Sequence, residues 1–305
     1  MSARITELTQ HQSNALEVFS SFYELMKPRV MSLVIFTALV GLVIAPIKVD
    51  FLNSVLSLLF VAIGAGAAGA LNMWYEPDTD KLMSRTCLRP LPLGKLKQVH
   101  ALSFGLLMSV VSILGLYYFS NILSAFVLAL TIGFYFFVYT VWLKKKTPQN
   151  IVIGGAAGAF PPVIGWTIAM NNIAIEPIVL FLIIFLWTPS HFWALSLYKN
   201  QDYKNAGIPM LPVVAGEDYT KKNILIYSII LFPFTILPFL LGFAGLINLI
   251  FSVGFGSYYI LISFKLFKEK NKMKYDQIAS KIFIFSIFYL FFIFSTILID
   301  NYLGI

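Results

Sequence analysis

Charge is what this chain has least of. Asp, Glu, Lys and Arg make up 12% of its 305 residues while 59% are hydrophobic, against about 25% charged residues in an ordinary soluble domain. That balance excludes a soluble globular fold. The apolar runs reach about 20 residues, the length of membrane helices, not the roughly 10 residues of a barrel strand. Cysteine is nearly absent too: Cys87 alone excludes an internal disulfide and a cysteine-based metal site. The first 27 residues lack the apolar core of a cleavable signal peptide. The run GGAAG lacks the Lys-Ser/Thr of a phosphate loop and lies in an apolar stretch. Acids (14) are fewer than bases (22), for a net charge of +8; the distribution of that charge, not its size, carries the information.

Apolar windows fall at 28–47, 51–71, 99–119, 122–143, 151–170, 174–197, 223–243, 245–264 and 282–302, each long enough to cross a hydrocarbon core about 30 Å thick. The division between the seventh and eighth is the weakest. All but Lys48 of the 22 Lys and Arg residues lie before or at the start of the first window or in alternate connections. By the positive-inside rule the N-terminus is cytoplasmic, and an odd number of spans is required. The positive charge is then a topology signal, and no nucleic-acid partner is needed. The expected fold is all-α: a polytopic bundle of about nine transmembrane helices around a central cavity. Residues 1–27 are a cytoplasmic segment, and 28–305 a single intramembrane domain with long cytoplasmic loops at 72–98 and 198–222.

The first long loop opens NMWYEPDTDKLMSRTCLRPLP. Asn72, Glu76 and Asp80 stand at i, i+4 and i+8, each step turning about 40° on a continuous helix, so they point broadly one way while Asp78 points elsewhere. Pro77 predicts a kink or a helix restart near 76–78. Asn, Glu and Asp oxygens are hard ligands that suit Mg²⁺, which bridges a few carboxylates to substrate phosphates. Lys81, Arg85 and Arg89 supply donors for phosphate oxygens. An ordinary solvated loop with topology-setting cations is the competing reading.

The second loop, TPSHFWALSLYKNQDYKNAGIPMLPVVAGE, offers Asp202, four residues after Tyr198 and three after the cation Lys199. Asp202 fits either a second metal ligand facing the first set or a solvated acid. His191 lies inside a span, where ionisable residues are rare and usually functional; it fits a haem or metal ligand, or a neutral histidine bonded to a neighbouring helix. Trp74 and Tyr75 beside the first motif, with Phe192 and Trp193 beside the second, are candidates to stabilise a cation over their faces, or are packing. Gly154, Gly155 and Gly158 permit close backbone approach, to a ligand or to a neighbouring helix.

These two stretches, with YTVWLKKKTPQNIVIGGAAGAFPPVIGW between them, resemble the intramembrane UbiA-type prenyltransferases over roughly residues 20–300. Within that group the chain is similar to the haem-farnesylating branch. The resemblance implies transfer of the farnesyl group of farnesyl diphosphate to a vinyl group of haem B, with Mg²⁺ as cofactor. It implies metal-binding and catalytic roles for Asn72, Glu76, Asp80 and Asp202. The resemblance implies substrate contacts for Arg85, Arg89 and His191; Lys81, Lys199, Trp74, Tyr75 and Tyr198 join them as candidates by their place in the two loops. The lipid bilayer of a bacterial inner membrane is the implied setting, with haem A synthase or terminal-oxidase assembly proteins as downstream partners. Glu76 stands where the family's motif usually has Asp, and Tyr198 where the second motif has its first acid. The rival readings are a prenyltransferase for an aromatic quinone precursor, an ion-coupled transporter, and a haem-binding assembly factor without catalysis. Transporter ion sites lie near the bilayer midplane, whereas these acids cluster at one face beside cations.

Overall fold

A computed structural model describes residues 15–304; Arg4, most of the proposed N-terminal segment and the signal-peptide reading lie outside or largely outside them. The described residues are helical and contain no strand. In chain order they form α1 (Ala15–Leu25), α2 (Pro28–Val43), α3 (Phe51–Tyr75), α4 (Pro77–Lys81), α5 (Gln98–Phe119) and α6 (Ile122–Gly133), which widens into a π-helical stretch, Phe134–Leu143. Then come α7 (Asn150–Ala159), α8 (Pro161–Met170), α9 (Ile175–Tyr198), α10 (Asn200–Asn205), α11 (Leu211–Val214), α12 (Glu217–Leu240), α13 (Leu246–Lys268) and α14 (Lys272–Leu303). Among the described residues eight segments are long and apolar enough to cross a membrane, with α7 and α8 together making one of them. The α1–α2 pair, bent by 52°, makes up to nine. This is a multi-pass membrane protein.

Local chemistry accounts for the breaks. Pro161 and Pro162 open α8 and divide the fifth span at Phe160, since proline cannot continue the hydrogen-bond ladder. Gly242, at φ 78°, turns the chain between α12 and α13, which separates the two windows whose division was weakest in the sequence. Lys27 sits at the α1–α2 corner with φ 54°, and Pro28 starts α2 behind it.

Packing depends on small residues where helices cross. A Cβ on Gly165 would lie 1.9 Å from the Ala38 carbonyl oxygen, and one on Gly41 2.0 Å from that of Pro162, so α2 and α8 touch backbone to backbone. One core cluster gathers Trp187, Trp193, Tyr259, Tyr289 and Phe294 from α9, α13 and α14. A second joins Ala38, Val61, Leu71, Leu128 and Ile164 from α2, α3, α6 and α8. Both long loops are more structured than the sequence predicts, carrying α4, α10 and α11. The last helix also departs from its window: it begins at Lys272, and its 32 residues span about 48 Å. Its polar first turns carry too little apolar signal to appear in a hydropathy window.

Candidate active site

The α3–α4 junction settles the geometry of the first motif. Pro77 is the first residue of α4, and Glu76 before it leaves the helical region, with φ −120° and ψ 30°, as the clash with the proline ring demands. The turn nevertheless continues, because Asp80 N–H donates to the Glu76 carbonyl at 2.9 Å. Asn72, Glu76 and Asp80 are all buried, and Asn72 Nδ2 donates to Glu76 Oε2 at 2.7 Å. Asp78 points away and pairs with exposed Lys81 at 3.5 Å.

Three basic side chains from three separate segments hold these groups, Lys27 with its pKa lowered to about 7 by burial and by the nearby Arg89 and Lys144 charges. Lys27 Nζ donates to Asn72 Oδ1 at 2.6 Å; Lys144 pairs with Glu76 Oε2; Arg89 Nη1 pairs with Asp80 Oδ2 at 2.8 Å. The Thr86 hydroxyl donates to the Asp80 carbonyl at 2.8 Å, closing the first loop over α4. Lys144 is delivered by the π-helical stretch, whose wider turn is marked by Lys144 N–H donating to the Tyr139 carbonyl, five residues back, at 2.9 Å. The same stretch brings Thr140 Oγ1 within 3.2 Å of Asn72 Nδ2. Such π segments frequently occur at functional sites.

The second loop meets the first through Asp202 on α10, which accepts a hydrogen bond from Ser84. Beneath this contact Met83, Ile151, Tyr203, Ile208 and Met210 form a small apolar core that ties the two loops together. Burial raises the Tyr203 phenol above its ordinary pKa, against the opposing pull of Arg85 and Lys144, so it remains a protonated donor. Arg85 is exposed and makes no ion pair among the described residues.

His191 is buried on α9, its ring stacked between Trp187 at 4.2 Å and Phe283 at 4.5 Å. Its Nδ1 lies 2.6 Å from Ser286 Oγ, and that hydroxyl donates its single hydrogen to the Phe283 carbonyl at 2.7 Å. While that hydrogen serves the carbonyl, Nδ1 donates to Ser286 and the lone pair is on Nε2; when it turns to Nδ1 the tautomer reverses. With both faces covered, only the ring edge can meet a ligand.

An apolar cavity of about 130 Å³ starts at Lys27 and Tyr135 and runs between α2, α3, α6 and α7 past Val34, Val61 and Leu128. Gly158 opens onto it, and a Cβ there would meet nothing within 4 Å. Gly154 and Gly155 serve helix packing instead: added Cβ atoms would fall 2.1 Å from the Tyr139 ring and 2.8 Å from Thr188.

Several sequence-based assignments are displaced by these positions. Trp74 and Tyr75 do not line the cavity. They follow Asn72 round to the outer side of α3 and pack against Phe136 at 6.0 and 6.2 Å. Lys81 is turned to solvent with Asp78, and Lys199 is exposed. Tyr198 is half-buried against Phe283 at 6.2 Å, and Trp193 is buried against Tyr227 at 5.3 Å. Lys27, Lys144, Thr140 and Ser84 belong to the cluster, although the sequence reading assigned the two lysines to topology and gave the other two no role.

Among the described residues no three His, Cys, Asp or Glu side chains converge as a metal cage. Glu76 Oε1 is buried without a hydrogen-bond partner, beside Asn72. That donor set suits an ion shared with a phosphate ligand, the arrangement Mg²⁺ favours, and does not suit an all-protein cage.

Residues 34–295 match the sequence model of the UbiA prenyltransferase family. A curated relative from Pelagibacter ubique, named Protoheme IX farnesyltransferase, is 56% identical over 300 residues, 98% of this chain and 99% of that one. Another of the same name from Parvibaculum lavamentivorans is 50% identical, over 93% of this chain and 89% of its own. Among solved structures, one of digeranylgeranylglyceryl phosphate synthase superposes with a TM-score of 0.77 at 19% identity, covering 93% of this chain and 99% of its own. A UbiA homolog from Archaeoglobus fulgidus bound to GPP and Mg²⁺ superposes at 0.62 with 18% identity, covering 91% and 99%. Matched by the family's sequence model and by half-identical relatives along most of its length, the chain belongs to the UbiA prenyltransferase family.

Proposed function

We propose that this protein transfers the farnesyl group of farnesyl diphosphate to a vinyl group of haem B inside the membrane, making hydroxyethylfarnesyl haem (haem O). The observation that carries the reaction class is the set of three buried motif side chains, each held by a basic side chain, at the mouth of an apolar cavity. The choice of substrates rests on the relatives' shared name.

Glu76, Asp80 and Asn72 would hold a divalent cation together with the diphosphate, and Asp202 closes the site from the second loop. Bound Mg²⁺ supplies positive charge where negative charge grows on the leaving oxygen. Lys27, Lys144, Arg89 and Arg85 donate to the remaining diphosphate oxygens, stabilising the same charge as the allylic C–O bond breaks. The fifteen-carbon chain lies in the apolar cavity, whose walls keep water from the developing allylic cation. The vinyl π electrons form the new C–C bond. Water then adds its oxygen to the cation left on the haem side chain and gives up a proton, and diphosphate leaves. His191, with its lone pair on Nε2, ligates the haem iron and orients the ring. We place the protein in a bacterial inner membrane, on the sources of its relatives, with its N-terminus in the cytoplasm, on the lysine and arginine distribution.

The test is haem O formation in membranes, with and without Mg²⁺, for the wild type and Asp80→Asn. Loss of product on either change is expected; wild-type product from Asp80→Asn without added Mg²⁺ overturns the metal–diphosphate reading. Purified His191→Ala with haem B should lose the wild-type Soret position, and an unchanged Soret band would remove His191 as ligand.

A further inference from the structure

A second groove lies away from the candidate active site, between α13 and α14. Its walls are Tyr258, Leu261, Ile262 and Lys265 on α13 and Ile278 and Lys281 on α14, enclosing about 360 Å³. The α13 residues stand at i, i+3, i+4 and i+7, one helical face, and the α14 pair at i and i+3. The groove is at the motif end of the bundle. There Lys272 pairs with Glu217 at 2.8 Å, and Lys221 Nζ donates to the Glu269 carbonyl at 2.9 Å, tying the hairpin to the second loop.

We propose that this groove binds an anionic phospholipid, its phosphate between Lys265 and Lys281 and an acyl chain along Tyr258, Leu261 and Ile278. Charge complementarity identifies the occupant. Two ammonium groups face one apolar groove from opposite helices, and neither pairs with an acid among the described residues. Lys281 immediately precedes the apolar run that begins at Ile282, so its stem lies at the interface, where long cationic side chains reach toward headgroups. Tyr258 and Leu261 are 40% and 59% exposed, as walls open to lipid are. A free phosphate would satisfy the lysines but leave this apolar wall without a partner; a lipid satisfies both.

Native mass spectrometry of the full-length protein, titrated with phosphatidylglycerol or phosphatidylcholine, tests the assignment. Phosphatidylglycerol should be retained in preference to phosphatidylcholine. Lys265→Gln/Lys281→Gln should weaken phosphatidylglycerol about 30-fold, on the basis of about 1 kcal/mol per lysine, and leave phosphatidylcholine unchanged. A control pair outside the groove, Lys270→Gln/Lys274→Gln, should change retention by less than about threefold. Three outcomes overturn the proposal: unchanged retention in the groove variant, an equal loss in the control pair, or displacement of the lipid by millimolar inorganic phosphate. Unchanged thermal unfolding of both variants separates loss of the site from loss of the fold.

Discussion

At the motif end Glu76 and Asp80 are held by the side chains of Lys144 and Arg89, and Asp202 by the Ser84 hydroxyl. At the opposite end Asp50 and Asp300 accept from backbone N–H groups, Asp50 from the Asn53 side-chain amide as well. Asp50 accepts from Asn53 N–H at 3.1 Å and caps α3, and buried Asp300 accepts from Gly245 and Asn248 N–H at 2.8 and 2.9 Å. Both arrangements satisfy a carboxylate, with different consequences. A backbone N–H at a helix start has no alternative partner once buried, so an acid there fixes structure. A lysine or arginine on a long flexible stem can exchange a carboxylate for a phosphate oxygen, so an acid held in that way remains available to a ligand. On the proposed function, the acids that act are among those held by side chains.

The strongest way to break this contrast is to remove one acid from each end. Glu76→Ala should lower haem O formation by about 10³-fold, the scale of a lost transition-state charge contact of about 4 kcal/mol, with the protein still present in the membrane at normal abundance. Product chromatography against a quantitative blot reads both. Asp300→Ala should do the reverse. It leaves two buried N–H donors unsatisfied at about 1–3 kcal/mol each, so thermal unfolding in detergent should fall clearly while turnover of the folded protein stays near wild type. A loss of turnover in Asp300→Ala without loss of stability would remove the distinction between the two ends.

The contrast was only half visible in the amino-acid order. The spacing of Asn72, Glu76 and Asp80 and the break at Pro77 are local, and both were legible because three to five residues determine them. The pairings that complete the site join Lys27 to Asn72 across 45 residues and Lys144 to Glu76 across 68. At that range an interfacial lysine that sets topology and one that reaches an acid have the same sequence. The π-helical turn that delivers Lys144 lies in FYFFVYTVWL, an almost uniformly apolar run in which no periodicity distinguishes a π from an α turn. Trp74 and Tyr75 lie off the cavity for a related reason. Closeness in sequence to Asn72 says nothing about which side of α3 a ring occupies, and the fold turned both outward. The spans themselves were legible because an apolar run of that length has few structural alternatives in lipid.

A smaller effect is expected inside the cavity that joins the motif end to the membrane interior. Gly158→Val adds atoms where a Cβ meets open space, so the fold should tolerate it while the cavity shrinks. Use of farnesyl diphosphate relative to its ten-carbon geranyl analogue should drop about tenfold, within the range of 1–3 kcal/mol for a methylene-scale mismatch in an apolar pocket. Competition between the two diphosphates in one assay measures the ratio directly. An unchanged ratio would mean that the chain runs elsewhere.

The smallest effect sharpens the comparison most, because it tests whether the opposite end is isolated from the chemistry. Asn121 caps α6, accepting from Ser124 N–H at 2.9 Å, and its Nδ2 donates to the Thr167 carbonyl at 2.8 Å, joining α6 to α8. Asn121→Ala should cost about 1 kcal/mol of stability, as loss of a helix cap does. Yet α6 runs without interruption into the π-helical stretch that carries Thr140 and ends at Lys144, its C-cap. If the widened turn absorbs small shifts of the helix behind it, turnover and the Michaelis constant for farnesyl diphosphate will not change. If α6 transmits them as a rigid rod, Lys144 will lose its register on Glu76 and that Michaelis constant will rise several-fold. Steady-state kinetics on Asn121→Ala distinguishes the two, and a rise would extend the candidate site through α6 to the far side of the bundle.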